Sequence, residues 1–182
     1  LADVGTLAPD FSGPATLEGT ARAVSDGWRV AADATGPGGT AARIEGLVAN
    51  DFRLDLSLRG SAPLGLANVA LAPRRIEGTA RFDLRVAGPP RLSSVSGRIT
   101  TQGARLTAPT LRLTLDPVDG SVTLANGRAT LDISARPGDG GRISASGSVA
   151  LSAPFQGDIG VRLDGVVLRD RRLYDTSVNG TL

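Results

Sequence analysis

The sequence predicts an all-β chain, and two observations carry that reading. The first is strict two-residue alternation of aliphatic and polar side chains over many short segments. The second is a repeated local pattern, aliphatic-x-Gly-x-aliphatic, which accounts for ten of the 24 glycines. Successive strand residues point to opposite faces, so period two reads as sheet with one apolar and one wet face.

The segments follow in chain order. Leu17-Gly19-Ala21 and Ile44-Gly46-Val48 open the series, and Phe52, Leu54, Leu56 and Leu58 then alternate with Arg53, Asp55, Ser57 and Arg59. Leu58-Gly60-Ala62 repeats the glycine pattern more weakly. Ile76, Gly78, Ala80, Phe82, Leu84 and Val86 alternate with Glu77, Thr79, Arg81, Asp83 and Arg85, and Val95-Gly97-Ile99 follows. Leu111, Leu113 and Leu115 alternate with Arg112, Thr114 and Asp116; Val118-Gly120-Val122, Leu131 and Ile133 continue the rule. Ile143, Ala145, Gly147, Val149 and Leu151 come next, then Ile159, Val161 and Leu163. Leu163-Gly165-Val167 and Val178-Gly180-Leu182 close the series, and Ala125-Gly127-Ala129 is the remaining weak copy.

Turn chemistry separates these runs: Ser25-Asp26-Gly27, Gly36 to Gly39, Asn50-Asp51, Pro89-Pro90, Asp116 to Gly120, Asn126-Gly127 and Pro137 to Gly141. Asn126-Gly127 between alternating segments predicts a tight hairpin. Only Leu64 to Leu71 offers a helical candidate. Roughly ten to thirteen strands in an antiparallel meander are expected. The spacings between successive pattern glycines range from 15 to 32 residues. That is too irregular for the fixed rungs of a parallel β-helix.

Aliphatic residues make up 38% of the chain, the 41% hydrophobic fraction less the 3% aromatic. Chance then places only about 3 or 4 copies of the glycine pattern, so the excess is a repeat signal. Each glycine except Gly127, which the hairpin makes a turn residue, falls on the apolar face between two aliphatic neighbours. Strand glycine marks bends, bulges or close backbone approach. A greasy face dented on strand after strand suggests a sheet curved around something. On that reading, leucine at Gly78 or Gly147 would fill an open trough without harming the fold.

Composition excludes much chemistry. There is no Cys, His or Met, and all 20 basic residues are arginine. A His base, a Cys nucleophile and a Lys amine are therefore unavailable, as are zinc sites built on Cys or His. Asp116 to Gly120 and Gly138 to Gly141 lack the further spaced carboxylates of a calcium loop. Gly36 to Gly39 does not open a helix and so cannot cradle phosphate. Asn179-Gly180-Thr181 matches a glycosylation acceptor by coincidence within a strand pattern. No residue set supports an enzyme, and no cofactor is expected.

Net charge is +2, with both signs interleaved, so no basic face is offered to nucleic acid. The cluster Arg169, Arg171 and Arg172 around Asp170 reads as a solvated turn or a contact for anionic headgroups. No run approaches the roughly 18 apolar residues of a membrane helix. Residues 1–182 read as one elongated β-repeat segment, an internal fragment of something longer.

The apolar face is the remaining candidate site. Two readings compete. It can pack against a second sheet in a dry sandwich or stalk with a protein partner. Alternatively its recurrent Gly and Ala leave space, and it forms a hydrophobic groove for acyl chains. The groove reading assigns the lining to Phe52, Leu54, Leu56, Leu58, Ile76, Gly78, Ala80, Phe82, Leu84, Val86, Leu111, Leu113, Leu115, Leu131, Ile133, Gly147, Val149, Leu151, Ile159, Val161 and Leu163.

Leu17-Glu18-Gly19-Thr20-Ala21-Arg22, Ile76-Glu77-Gly78-Thr79-Ala80-Arg81-Phe82-Asp83-Leu84, and Val161 to Leu168 followed by Leu173-Tyr174-Asp175 and Val178-Asn179-Gly180-Thr181-Leu182 resemble the repeats of the TamB / AsmA-like family of Gram-negative envelopes. The resemblance is one of cadence along the whole chain. It implies a taco-like folded sheet with a hydrophobic groove, in a long periplasmic protein anchored in the inner membrane. It further implies phospholipid transport to the outer membrane and, with a TamA-like outer-membrane barrel as partner, support of outer-membrane protein assembly. The family's anchor helix has no counterpart in these residues.

Overall fold

The structure is a computed structural model that describes residues 14–170 and 174–181. Twelve strands form one antiparallel sheet: β1 (Thr16–Val24), β2 (Gly27–Gly36), β3 (Thr40–Ala49), β4 (Leu54–Pro63), β5 (Arg75–Glu77), β6 (Thr79–Gly88), β7 (Val95–Ala108), β8 (Leu113–Ala125), β9 (Arg128–Pro137), β10 (Arg142–Ala150), β11 (Gly157–Asp170) and β12 (Tyr174–Thr181). Order in the sheet follows order in the chain, except that short β5 pairs with the far end of β7 beside β6. The sheet does not close into a barrel, since the path runs from β1 to β12 without joining them.

The hairpins obey the turn chemistry. Asn126 and Gly127 both have positive φ, 52° and 69°, joining β8 to β9, the two-residue geometry whose twist matches the flanking strands. Pro37–Gly39 forms the turn between β2 and β3. Leu64 to Leu71 does turn helical, as a 3-10 turn Leu64–Ala67 followed by one α-turn Asn68–Leu71. Asn68 Oδ1 accepts a hydrogen bond from the Ile76 amide at 2.7 Å, which fastens this insert to β5.

Three breaks in register interrupt the sheet, between Thr101 and Leu106 on β7, Leu115 and Val118 on β8, and Leu163 and Val166 on β11. Asp116 to Gly120 was expected to be a turn; it lies inside β8, with Pro117 at the second break. Proline cannot donate to the ladder, and a bulge is where a strand tolerates it. Asp119 Oδ1 accepts the Gly103 amide at 2.9 Å and Asn179 Oδ1 accepts the Gly165 amide at 2.6 Å. These side chains satisfy backbone donors that the breaks release.

Each strand makes its main contacts with its ladder neighbours alone. The chain exposes 12158 Å², against about 8,200 Å² expected for a compact monomer of this mass. Only Ala104, Ala108, Leu115, Val118, Ala135 and Val166 are buried hydrophobics among the described residues. Ala104, Leu115, Val118 and Ala135 form one cluster, and Leu64 of the helical insert packs on it with Leu106, Leu113, Ile133 and Ile143.

Candidate functional site: one continuous apolar face

Directly opposed residues of antiparallel strands share a face, so the registers show how the aliphatic positions line up. One row runs Leu17, Ala34, Ala42, Gly60, Phe82, Ile99, Val122, Leu131, Gly147, Ile159 across ten strands without a polar side chain. A second runs Gly19, Ala32, Ile44, Leu58, Leu84, Gly97, Leu124, Ala129, Val149, Gly157. A third, Ala62, Ala80, Thr101, Gly120, Ile133, Ala145, Val161, contains one hydroxyl. Thr101 Oγ1 gives its hydrogen to the Thr79 carbonyl at 3.0 Å, so the hydroxyl is spent on backbone.

Of the sequence-assigned lining, Leu54, Leu56, Leu58, Ala80, Phe82, Leu84, Val86, Leu113, Leu115, Leu131, Ile133, Gly147, Val149, Ile159, Val161 and Leu163 stand in strands, and their registers join them on this one face. Ile76 joins it through Leu106 on β7. Gly78 falls at the bend between β5 and β6, and three further assignments leave the strands. Phe52 sits in the turn before β4 with φ 62° and is 77% exposed. Leu111 ends the 3-10 turn Pro109–Leu111 and is 65% exposed. Leu151 lies beyond β10, its amide bonded to the Gly127 carbonyl at 2.8 Å. In each case alternation was extended one step past the last paired residue.

Sequence reading missed Ala104, Leu106 and Ala108, because the break after Thr101 shifts the inward parity of β7 by one residue. It also left out Val30, Ile44, Val48, Val95, Ile99, Val122 and Leu124, although several flank the pattern glycines and the signal was present.

Gly19, Gly46, Gly60, Gly97, Gly120, Gly147 and Gly180 do lie on the apolar face, but their role differs from a dent for a ligand. A Cβ on Gly97 or Gly147 would come closer than 3 Å to the carbonyl oxygen of Asp83 or Asp158 on the next strand. Gly97 has φ +124° and Gly147 +159°. The missing side chain makes room for neighbouring backbone. The expectation that leucine is tolerated at Gly147 is therefore overturned, because a side chain there displaces the ladder. At Gly78, φ is +124° and a Cβ would lie 3.1 Å from Ala104 Cα, with Leu64 Cδ1 3.6 Å away. That position is already packed beneath the helical insert. Large cross-strand residues face many of these glycines: Leu84 opposes Gly97, Phe82 opposes Gly60, and Leu131 opposes Gly147. Glycine kinks and bulges are the devices that coil a sheet.

The opposite face is charged. Arg59 Nε meets Asp83 Oδ2 at 3.1 Å, Arg85 Nη2 meets Asp55 Oδ1 at 2.9 Å, and Arg105 pairs with Asp116 at 2.5 Å. Donating hydrogen bonds to the carboxylates of Glu45 and Asp116 holds the pKa of Arg43 and Arg105 above the ordinary guanidinium value. A hollow on this face is lined by Thr100, Gln102, Asp119, Ser121, Asp132 and Ser134. No group of three or more potential metal ligands occurs among the described residues, and no helix is long and apolar enough to cross a membrane. Arg171, Arg172 and Leu182 lie outside the described residues.

No protein-family model, curated protein or solved structure matches the chain.

Proposed function

We propose that this chain is the hydrophobic-groove segment of a TamB / AsmA-like protein, carrying phospholipids through the periplasm between the inner and outer membranes and supporting outer-membrane biogenesis. The observation that carries the reading is the apolar face itself: a row without a polar side chain across ten strands, with no second sheet packed over it among the described residues. Eleven strands along the path span about 48 Å in the hydrogen-bonding direction, more than one extended acyl chain. Burial of most of a fatty-acid tail is worth about 10 kcal/mol at ~0.8 kcal/mol per methylene, before ordering costs. With no directional polar group in the row, tails are held without a fixed register and can slide along it. In this reading the glycine kinks fold the sheet lengthwise into a trough. The full-length protein is anchored in the inner membrane and meets a TamA-like barrel.

The test places a photo-crosslinking amino acid at Leu56, on the apolar face, or at its neighbour Ser57, on the charged face. Labelling of phospholipid from Leu56 and not from Ser57 supports the groove. Equal labelling, or none from either, refutes it. In the second case the dry stalk with a protein partner takes its place, a reading that the Ala104–Leu115–Val118–Ala135 cluster favours locally.

A further inference from the structure

We infer that phospholipid in the groove has a fixed polarity, with its phosphate headgroup at one rim of the sheet and its tails running down the strands toward the helical insert. The inference rests on the groove reading and adds the lipid's orientation to it. The turns after β1, β3, β6, β8 and β10 lie along one rim. Neighbouring turns touch. The Asn50 amide donates to the Asp26 carbonyl at 3.0 Å, a Cβ on Gly127 would stand 3.6 Å from Ser93 Cβ, and the Leu151 amide donates to the Gly127 carbonyl at 2.8 Å. This rim carries Trp28, Phe52, Leu92 and Phe155, exposed by 51%, 77%, 60% and 55%. Phe82 lies in mid-sheet, and Tyr174 opens β12 at the opposite rim.

Strain marks two of these aromatics. Phe52 and Phe155 have φ of 62° and 55°, a left-handed conformation that is an outlier for a bulky residue and natural for glycine. Each donates its amide to a carbonyl three residues back, Phe52 to Ala49 at 2.9 Å and Phe155 to Ser152 at 2.8 Å. The rim keeps an exposed ring where glycine would suit the backbone better. Trp28 stands on the apolar face itself, opposite Ala23 and Val48, and tryptophan favours the boundary between hydrocarbon and headgroups. Arg53 and Arg91 are exposed in the same turns and in no ion pair among the described residues. A guanidinium pairs well with phosphate. The neighbouring acids are held by local donors: Asp51 Oδ1 accepts the Arg53 amide at 3.1 Å, and Asp26 accepts the Ser25 hydroxyl. The far end of the face is shut at β7 to β9, where Leu64 of the insert packs on Ala104, Leu115, Val118 and Ala135. Along β8, Ala125 at the rim stands roughly 23 Å from Val118. A tail reaching half of a ~30 Å hydrocarbon core fits between them.

Trp28, the sole tryptophan, is the reporter. The full chain is loaded from phosphatidylglycerol vesicles whose acyl chains carry bromine near the glycerol or near the methyl end, and fluorescence is read after gel filtration removes the vesicles. Bromine near the glycerol should quench Trp28 roughly twofold more than bromine near the methyl end, since the two differ in depth by about 10 Å. Trp28→Phe with Leu131→Trp moves the ring about 10 Å down β9. The order should then reverse, with circular dichroism confirming the fold. Equal quenching of Trp28, or stronger quenching from the methyl end, overturns the orientation while the groove stands. Quenching by neither lipid overturns the groove reading and the orientation with it. Arg53→Gln with Arg91→Gln should lower retained phosphatidylglycerol roughly threefold and leave uncharged diacylglycerol unchanged. Arg142→Gln, at the opposite rim, should change neither. Equal loss from both rims, or no loss from either, overturns the placing of the phosphate.

Discussion

Replacing Gly97 by alanine adds one methyl group to a solvent-accessible sheet, yet the geometry makes it one of the costlier changes available. Gly97 has φ +124°, a region that a residue bearing Cβ occupies at about 1–3 kcal/mol. The new Cβ would also stand closer than 3 Å to the Asp83 carbonyl oxygen and to Leu84 Cα on β6. Both are backbone atoms, so relief requires the two strands to separate, weakening a ladder hydrogen bond worth about 1 kcal/mol. The sum is about 3 kcal/mol, which in a chain of this length lowers Tm by about 6–12 °C. Gly138→Ala is the control. A Cβ there meets nothing within 4 Å and φ is ordinary, so the change should be neutral or slightly stabilising. Differential scanning calorimetry on both variants checks the reasoning. A Gly97→Ala Tm within about 2 °C of wild type, or an equal loss in Gly138→Ala, would refute the claim that these glycines admit neighbouring backbone.

Packing density should separate two leucines on the same face. Leu115 is 8% exposed within the small buried cluster, so Leu115→Ala should cost about 2–4 kcal/mol. Leu56 has no second sheet packed over it among the described residues, and Leu56→Ala should cost about 1 kcal/mol; urea unfolding compares the two. Asn68→Ala removes the acceptor for the Ile76 amide and should cost about 1 kcal/mol. Hydrogen exchange should then quicken across Leu64–Leu71 while β9 and β10 keep their protection. Unchanged exchange would mean that the hydrogen bond does not hold the insert.

Much of this protein was legible in the order of its residues. Period-two alternation located β4, β6, β9, β10 and β11, and Asn126-Gly127 located a hairpin, because both signals are local. The sequence also separated the two faces, since a strand has only two and Phe82, Leu84 and Val86 share one by parity alone. Tertiary structure decided what parity cannot carry across a break. The shift after Thr101 brings Ala104 and Leu106 inward, and the bulge at Pro117 turns an expected turn into the middle of a strand. It decided that the row from Leu17 to Ile159 is continuous, because register between strands distant in the chain depends on every intervening pair. It also reversed the meaning of the glycines. A sequence shows that a side chain is absent at Gly97 and Gly147. Only the neighbouring strand shows that the vacant space is filled by backbone, because that approach is a contact between residues far apart in the order of the chain.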